Sequence, residues 1–277
     1  MRLLEGRVAV VTGASRGAGR GIALVLGEAG ATVYLTGRSV RGAQTSALAG
    51  TTLEDTAELV AARGGVGIPV RTDHTKDEEI EALFARVRRE KGRLDLLINN
   101  AWGGYEEMGD TFGAPFWEEP IERFDRMFSA GVRSHLVTTR MALPLMMEQN
   151  CGLIVNTTIE IDPTVYDEAL FYRTSKLAIN YLTFGMAHDL RVGGGFEVAA
   201  IALAPGWMRT EAVMENFRVG LHQERDLEQT ESTEYIGRAV LALATDPNIM
   251  AKSGQTLRTR DLAREYGFTD VDGRQPG

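Results

Sequence analysis

The chain has 277 residues, a net charge of −8, 44% hydrophobic residues and one cysteine, Cys151. That is enough apolar content for one continuous core, and a lone cysteine forms no internal disulfide, which agrees with a reducing, cytoplasmic setting. An acidic balance with no basic stripe argues against nucleic acid as a partner. No apolar run approaches the ~20 residues that cross a bilayer, and Met1-Arg2-Leu3-Leu4-Glu5-Gly6 leaves no room for a signal peptide.

Apolar, β-rich runs alternate with helix-period segments along most of the chain. A strand over Val8–Val11 is followed by a helix over Gly17–Ala29, then strand Thr32–Thr36 and helix Leu53–Arg63. Strand Gly67–Arg71 leads through Asp73 to helix Asp77–Lys91 and strand Leu94–Ile98. A long helix over Ile121–Gln149, with a possible break near Gly131, precedes strand Leu153–Asn156. Helix Tyr172–Arg191, strand Glu197–Leu203, helix Thr233–Ala244 and a short strand over Gln255–Leu257 complete the order. Continuous apolar strands alternating with helices predict an α/β fold: a single-domain, Rossmann-type, doubly wound parallel sheet with helices on both faces. Two segments, 102–120 and 205–232, break the alternation. Both follow the carboxyl ends of strands, where such sheets bind ligands, and are read as substrate loops.

Thr12-Gly13-Ala14-Ser15-Arg16-Gly17-Ala18-Gly19 joins the first strand to the first helix. Glycines there let the backbone approach a pyrophosphate at the helix N-terminus, so Gly13, Ser15, Arg16, Gly17 and Gly19 are candidate dinucleotide contacts. The second strand ends Leu35-Thr36-Gly37-Arg38-Ser39, without the carboxylate that would bind the ribose 2′-hydroxyl of NAD(H). Arg38 with Arg16 either pairs with the 2′-phosphate of NADP(H) or is simply a pair of surface arginines; NADP(H) is favoured over NAD(H). Asp73 after the third strand could accept from the adenine amino group. In Asn99-Asn100-Ala101, amides at the end of the fourth strand could hold the turn and the cofactor, which makes Asn99 and Ala101 candidates. For Asp73 and Asn99 a turn-stabilising role is the competing reading.

Tyr172 and Lys176 stand one helical turn apart in Phe171-Tyr172-Arg173-Thr174-Ser175-Lys176. Downstream of a dinucleotide site, such a pair is suited to proton donation beside a nicotinamide. A tyrosine of reference pKa ~10 needs help near neutral pH, which a neighbouring ammonium gives.

These motifs, with Pro205-Gly206 and Thr210, stand in the order found in the short-chain dehydrogenase/reductase family, which the chain resembles over nearly its whole length. It resembles in particular a branch that shares Gly37-Arg38, Phe116-Trp117-Glu118, Ala244 to Ile249, Asp261 to Arg264 and Asp270 to Arg274. The resemblance implies NADPH-dependent reduction of a small-molecule carbonyl and a homo-oligomer, a dimer or a tetramer. It implies Tyr172 as proton donor to the carbonyl oxygen, Lys176 as its electrostatic support and ribose contact, and Pro205, Gly206 and Thr210 as the lining of the nicotinamide.

Two positions depart from the family pattern. Its strand-end Ser falls on Ile159, which cannot donate; Thr158, one residue earlier, is the candidate substitute or a plain β-branched strand residue. Its helix Asn, which supports a proton relay to the Lys, falls on Gly131. Glu160, Asp162, Asp167 and Glu168 lie near the expected centre, as a solvated run or as carboxylates selecting a cationic substrate. Trp102, Tyr105, Phe112, Phe116 and Trp117 suggest instead a flat or hydrophobic ketone, or ordinary core. His74, His135, His188 and His222 are too scattered for a metal site, and none is predicted; His135 and His188 fall in helices without special role. The expectation is a carbonyl reductase using NADP(H). Its alternatives are an NAD-linked alcohol dehydrogenase and a catalytically weak nicotinamide-binding protein.

Overall fold

The structure, a computed structural model, describes residues 2–45, 50–104, 111–162, 164–166, 168–221 and 223–276. Each continuous apolar run becomes an inner strand. In β1 (Val8–Thr12) and β6 (Val198–Ala204) every residue is buried, as is all but the first residue of β5 (Gly152–Thr157). With β2 (Thr32–Gly37), β3 (Val66–Arg71), β4 (Leu96–Asn99) and β7 (Thr256–Arg258) they form a seven-stranded sheet in the order β3-β2-β1-β4-β5-β6-β7. All six pairings are parallel. The winding reverses between β1 and β4, so a crevice opens there at the carboxyl ends of the strands.

Alternation along each strand divides the core. Ala9 and Val11 of β1 face a layer built from α1 (Gly17–Glu28), α2 (Leu53–Ala62), α8 (Thr233–Thr245) and α9 (Thr259–Tyr266). Val8 and Val10 face α3 (Asp77–Lys91), α5 (Ser134–Glu148) and α6 (Leu170–His188). The helices begin where their chemistry dictates. Thr52 and Asp55 close a reciprocal capping box on α2, and α3 runs from an acidic first turn to a basic last turn that ends at left-handed Gly92.

The long helix expected over Ile121–Gln149 is three pieces: α4 (Ile121–Arg126), a wide-turned π segment over Met127–Arg133, and α5. The expected break at Gly131 therefore takes the form of a π-bulge rather than a gap. Two helices escape the sequence reading, α7 (Glu211–Arg218) and α9. Among the described residues no helix is long and apolar enough to cross a membrane.

Candidate active site

The turn between β1 and α1 is held from both sides. Thr12 Oγ1 accepts from the backbone N–H groups of Asn100 and Ala101, each at 2.8 Å, and the Asn100 amide donates to the carbonyls of Thr12 and Gly13 at 2.9 and 3.2 Å. A Cβ on Gly19 would stand 2.3 Å from Gly13 O and 2.5 Å from Asn100 Nδ2, so this packing admits only glycine. The motif's amide that grips the turn is thus Asn100. Asn99, a predicted cofactor contact, turns its amide inward, donating to Thr139 Oγ1 and Asn156 Oδ1 at 2.8 Å each. Its side chain thus ties β4 to α5 and β5 rather than holding the turn.

No side chain of the turn itself caps α1. The Gly17 N–H instead donates to Glu211 Oε2 at 2.8 Å, across 194 residues of chain, and Arg20 pairs with the same carboxylate at 3.3 Å. A carboxylate seated on this helix end shows that the geometry accepts an anion, as a dinucleotide pyrophosphate requires. The residues therefore fit the expected cofactor. Ser15 is buried beneath the turn and Arg16 is half-buried at its rim.

Past β2 and β3, Asp73 Oδ1 accepts from the Thr75 N–H at 3.0 Å and the Thr75 hydroxyl at 2.7 Å. Burial opposes its charge, yet these bonds and the positive charge of Arg38 hold the carboxyl below its usual range. The charge of Arg38 thus reaches Asp73, past the ends of β2 and β3.

At the inner end, α6 presents Tyr172 and Lys176. Lys176 is 7% exposed, and burial lowers its pKa to about 7. Its Nζ stands 3.9 Å from the centroid of the Trp102 ring and 5.6 Å from that of Tyr172. The indole face favours the ammonium, worth about 0.5–2 kcal/mol against the burial. Tyr172 lies between two aromatic edges, Trp102 at 5.6 Å and Phe112 at 5.9 Å. Gly131 explains why Trp102 fits: a Cβ there would meet Trp102 Cζ3 at 2.4 Å. The indole occupies the space a side chain at 131 would take.

Thr158 is buried beside α6, and its hydroxyl donates to the main-chain oxygen of Lys176 at 3.3 Å. In this arrangement it ties the end of β5 to α6. His135, read from sequence as lacking a role, is buried in α5 four residues past Gly131, and neither of its ring nitrogens hydrogen-bonds to a described residue.

The loop after β6 carries Pro205 and Gly206. Beneath it lies Glu231, 3% exposed, whose Oε2 would stand 2.8 Å from a Cβ on Gly206. Burial pushes Glu231 up to about 7, a hydrogen bond from the Gly206 backbone opposes this, and the charge of Asp270 adds to it. Asp270 accepts from the Ser232 N–H at 2.7 Å and from Arg209 at 3.3 Å. The Thr210 hydroxyl caps α7 by accepting from Val213 N–H at 3.3 Å, while its methyl approaches Gly17.

Glu160 and Asp162 are engaged by partners other than Tyr172. Glu160 pairs with Arg258 at 2.7 Å and Arg260 at 3.3 Å, and Asp162 accepts from Thr164. Phe116 and Trp117 pack edge to face on one another and are exposed. Tyr105, Asp167 and His222 lie outside the described residues.

The family model for the short chain dehydrogenases matches residues 7–219. The chain belongs to the short-chain dehydrogenase family. Dehydrogenase/reductase SDR family member 1 of Mus musculus is 40% identical over 98% of this chain and 85% of its own length, and the Homo sapiens protein is 40% identical with the same coverage. Among solved structures, the hydroxysteroid dehydrogenase from Escherichia coli superposes with a TM-score of 0.74 at 26% identity, covering 93% of this chain and 97% of that one. An actinorhodin polyketide ketoreductase shares the fold, with a TM-score of 0.74 at 23% identity. As a short-chain dehydrogenase the chain is a nicotinamide-dependent oxidoreductase of carbonyl and hydroxyl groups, acting on a small molecule.

Proposed function

We propose that this short-chain dehydrogenase is an NADP(H)-dependent carbonyl reductase working as one dinucleotide-binding domain, with segments 102–120 and 205–232 enclosing a flat or hydrophobic ketone. The observation that carries this reading is the Lys176 ammonium 5.6 Å from the Tyr172 ring, at the crevice beside the glycine turn. When bound, a nicotinamide cofactor would supply the hydride that the carbonyl carbon takes up. Tyr172 donates its hydroxyl proton to the carbonyl oxygen, and the Lys176 charge stabilises the phenolate left behind. Gly13, Gly17 and Gly19 give the pyrophosphate its approach, and Ser15, Asp73, Ala101, Pro205, Gly206 and Thr210 border the remaining cofactor. Trp102 and Phe112, flanking Tyr172, support an apolar substrate.

Arg38 and Arg16, with no carboxylate ending β2, support NADP(H). Arg38→Ser is expected to weaken NADPH binding by about 10–100-fold while leaving NADH nearly unchanged, since charge-assisted bonds contribute about 1.5–3 kcal/mol. A wild type that prefers NADH refutes this assignment. NADPH consumption over ketones, aldehydes and quinones tests the chemistry, and equal rates for wild type and Tyr172→Phe would remove Tyr172 from its role. A cytoplasmic homo-oligomer is supported by the lone Cys151 and by Tyr181 and Phe184, exposed on the outer face of α6.

A second reading, a nicotinamide-binding protein of weak catalysis, draws on the Thr158 hydroxyl engaged with Lys176 O and on Ile159 and Gly131. Tight NADPH binding without turnover on any carbonyl would favour it.

A further inference from the structure

The segment Pro205–Thr210 after β6 is gripped by one residue, Glu231, at three points. Two are on the main chain: the Glu231 N–H donates to Trp207 O at 2.9 Å, and the Arg209 N–H donates to Glu231 O at 2.8 Å. The third is the side chain. Its carboxyl accepts from the Gly206 backbone, and Oε2 lies so close that a Cβ on Gly206 would stand 2.8 Å from it. Glu231 is 3% exposed, yet its other oxygen, Oε1, has no hydrogen-bond partner among the described residues. A buried carboxyl with one orphaned oxygen costs stability that an apolar residue would not, so stability alone does not account for an acid here. What stands behind Glu231 is firmly held. The N–H of Ser232 donates to Asp270 at 2.7 Å, and its hydroxyl caps α8 by accepting from the Glu234 N–H at 3.2 Å. The start of α8 then meets α1 backbone to backbone, since a Cβ on Gly21 would fall 1.8 Å from Thr233 O. α1 begins at the glycine turn. One short path thus joins that turn, through α1, the start of α8 and Glu231, to Gly206.

We propose that Glu231 is a positioning residue, which holds the Pro205–Thr210 segment at a fixed distance from the glycine turn and so sets the nicotinamide half of the cofactor site. This rests on the NADP(H) reading, in which Pro205, Gly206 and Thr210 border the cofactor. Glu231 touches no reacting atom in that reading. It acts through the Gly206 amide, whose place and direction its carboxyl fixes. What it offers is an acceptor oxygen, so a carboxamide of the same shape serves as well and a thioether does not. The adenine half of the cofactor, assigned to Arg38 and Asp73, lies outside its influence.

One readout needs no cofactor. In hydrogen exchange followed by ¹⁵N spectra of the free protein, the Gly206 amide is expected to be protected in wild type and in Glu231→Gln, and to exchange about 10-fold faster in Glu231→Met. Met fills the same space without an oxygen. Equal protection in Glu231→Met overturns the proposal. Two probes then separate the halves of the site. Glu231→Met is expected to raise the Kd for NADPH about 10-fold while leaving that for adenosine 2′,5′-bisphosphate, which has no nicotinamide, within about 2-fold; Glu231→Gln keeps both near wild type. Equal weakening of both probes, weakening of neither, or a Gln variant as weak as the Met one overturns it. Because Met removes a buried carboxyl, its melting temperature should match or exceed that of wild type. A Glu231→Met that melts well below wild type, or does not fold, makes the residue a structural one and also overturns the proposal. If the wild type binds neither NADPH nor the bisphosphate, the NADP(H) reading fails, and the Gly206 exchange alone decides the role of Glu231.

Discussion

On the cofactor placement proposed above, Glu211 holds the position that a cofactor phosphate would take, so its neutralisation is expected to tighten cofactor binding. Its carboxylate accepts from the Gly17 N–H at 2.8 Å and pairs with Arg20 at 3.3 Å, both of which pyrophosphate displaces. A charge-assisted hydrogen bond contributes about 1.5–3 kcal/mol, and an ion pair as exposed as this one about 0.2–1 kcal/mol. Water recovers part of both once the carboxylate swings out, since the Glu211 side chain is already 29% exposed. A net opposition of about 1–2 kcal/mol remains, so Glu211→Gln should lower the Kd for NADPH about 5–30-fold. Fluorescence titration measures it, and the gain should shrink in high salt, which screens the removed repulsion. The same substitution takes a favourable charge from the first turn of α7, so melting of the free protein should fall slightly while affinity rises. Affinity unchanged or weaker in Glu211→Gln would refute the reasoning.

Thr12→Val removes the shared acceptor of two backbone N–H groups and is expected to cost about 2–4 kcal/mol, read as a lower urea midpoint together with weaker NADPH binding; a stability within error of wild type would contradict the geometry. Acid should destabilise the free protein. His74 and His135 titrate at about 4 and about 3 when folded, so between those values and pH 6.5 the unfolded chain binds more protons and stability falls as pH falls. Glu231, raised to about 7, acts oppositely: its folded form keeps a proton above pH 4.5, a contribution lost as pH rises through 7. Two histidines against one carboxyl leave these groups with a net loss of about 2 kcal/mol from pH 7 to pH 5, and denaturation midpoints that stay flat or rise over that range would be the contrary result.

The sheet was legible because its inner strands are buried on both faces and read as unbroken apolar runs. The glycine turn was legible because a strand, a tight turn and a helix N-terminus follow one another locally. What escaped depends on contacts distant in sequence. α7 is only eight residues long and buries none of them fully, and the charged α9 is equally short. Asn99 and Asn100 are adjacent and chemically identical; only the pleat of β4 decides which amide reaches Gly13. Glu231 reaches the site from a segment without a motif, and Glu211, though next to Thr210, is revealed only by its bond to Gly17 across 194 residues. His135 looks like any helical histidine until its ring is found buried.

The fit of Trp102 against Gly131 also bears on how such a site can change over generations. A Cβ restored at 131 would lie 2.4 Å from the indole, so that step alone overfills the space. Shrinking Trp102 first would strip the ring from beneath the Lys176 ammonium and open a void beside Tyr172. Each single step back toward a helix side chain is therefore unfavourable, and only the two together are tolerated. The pair is entrenched, and a descendant lineage would keep the bare backbone at 131 for as long as it keeps the indole.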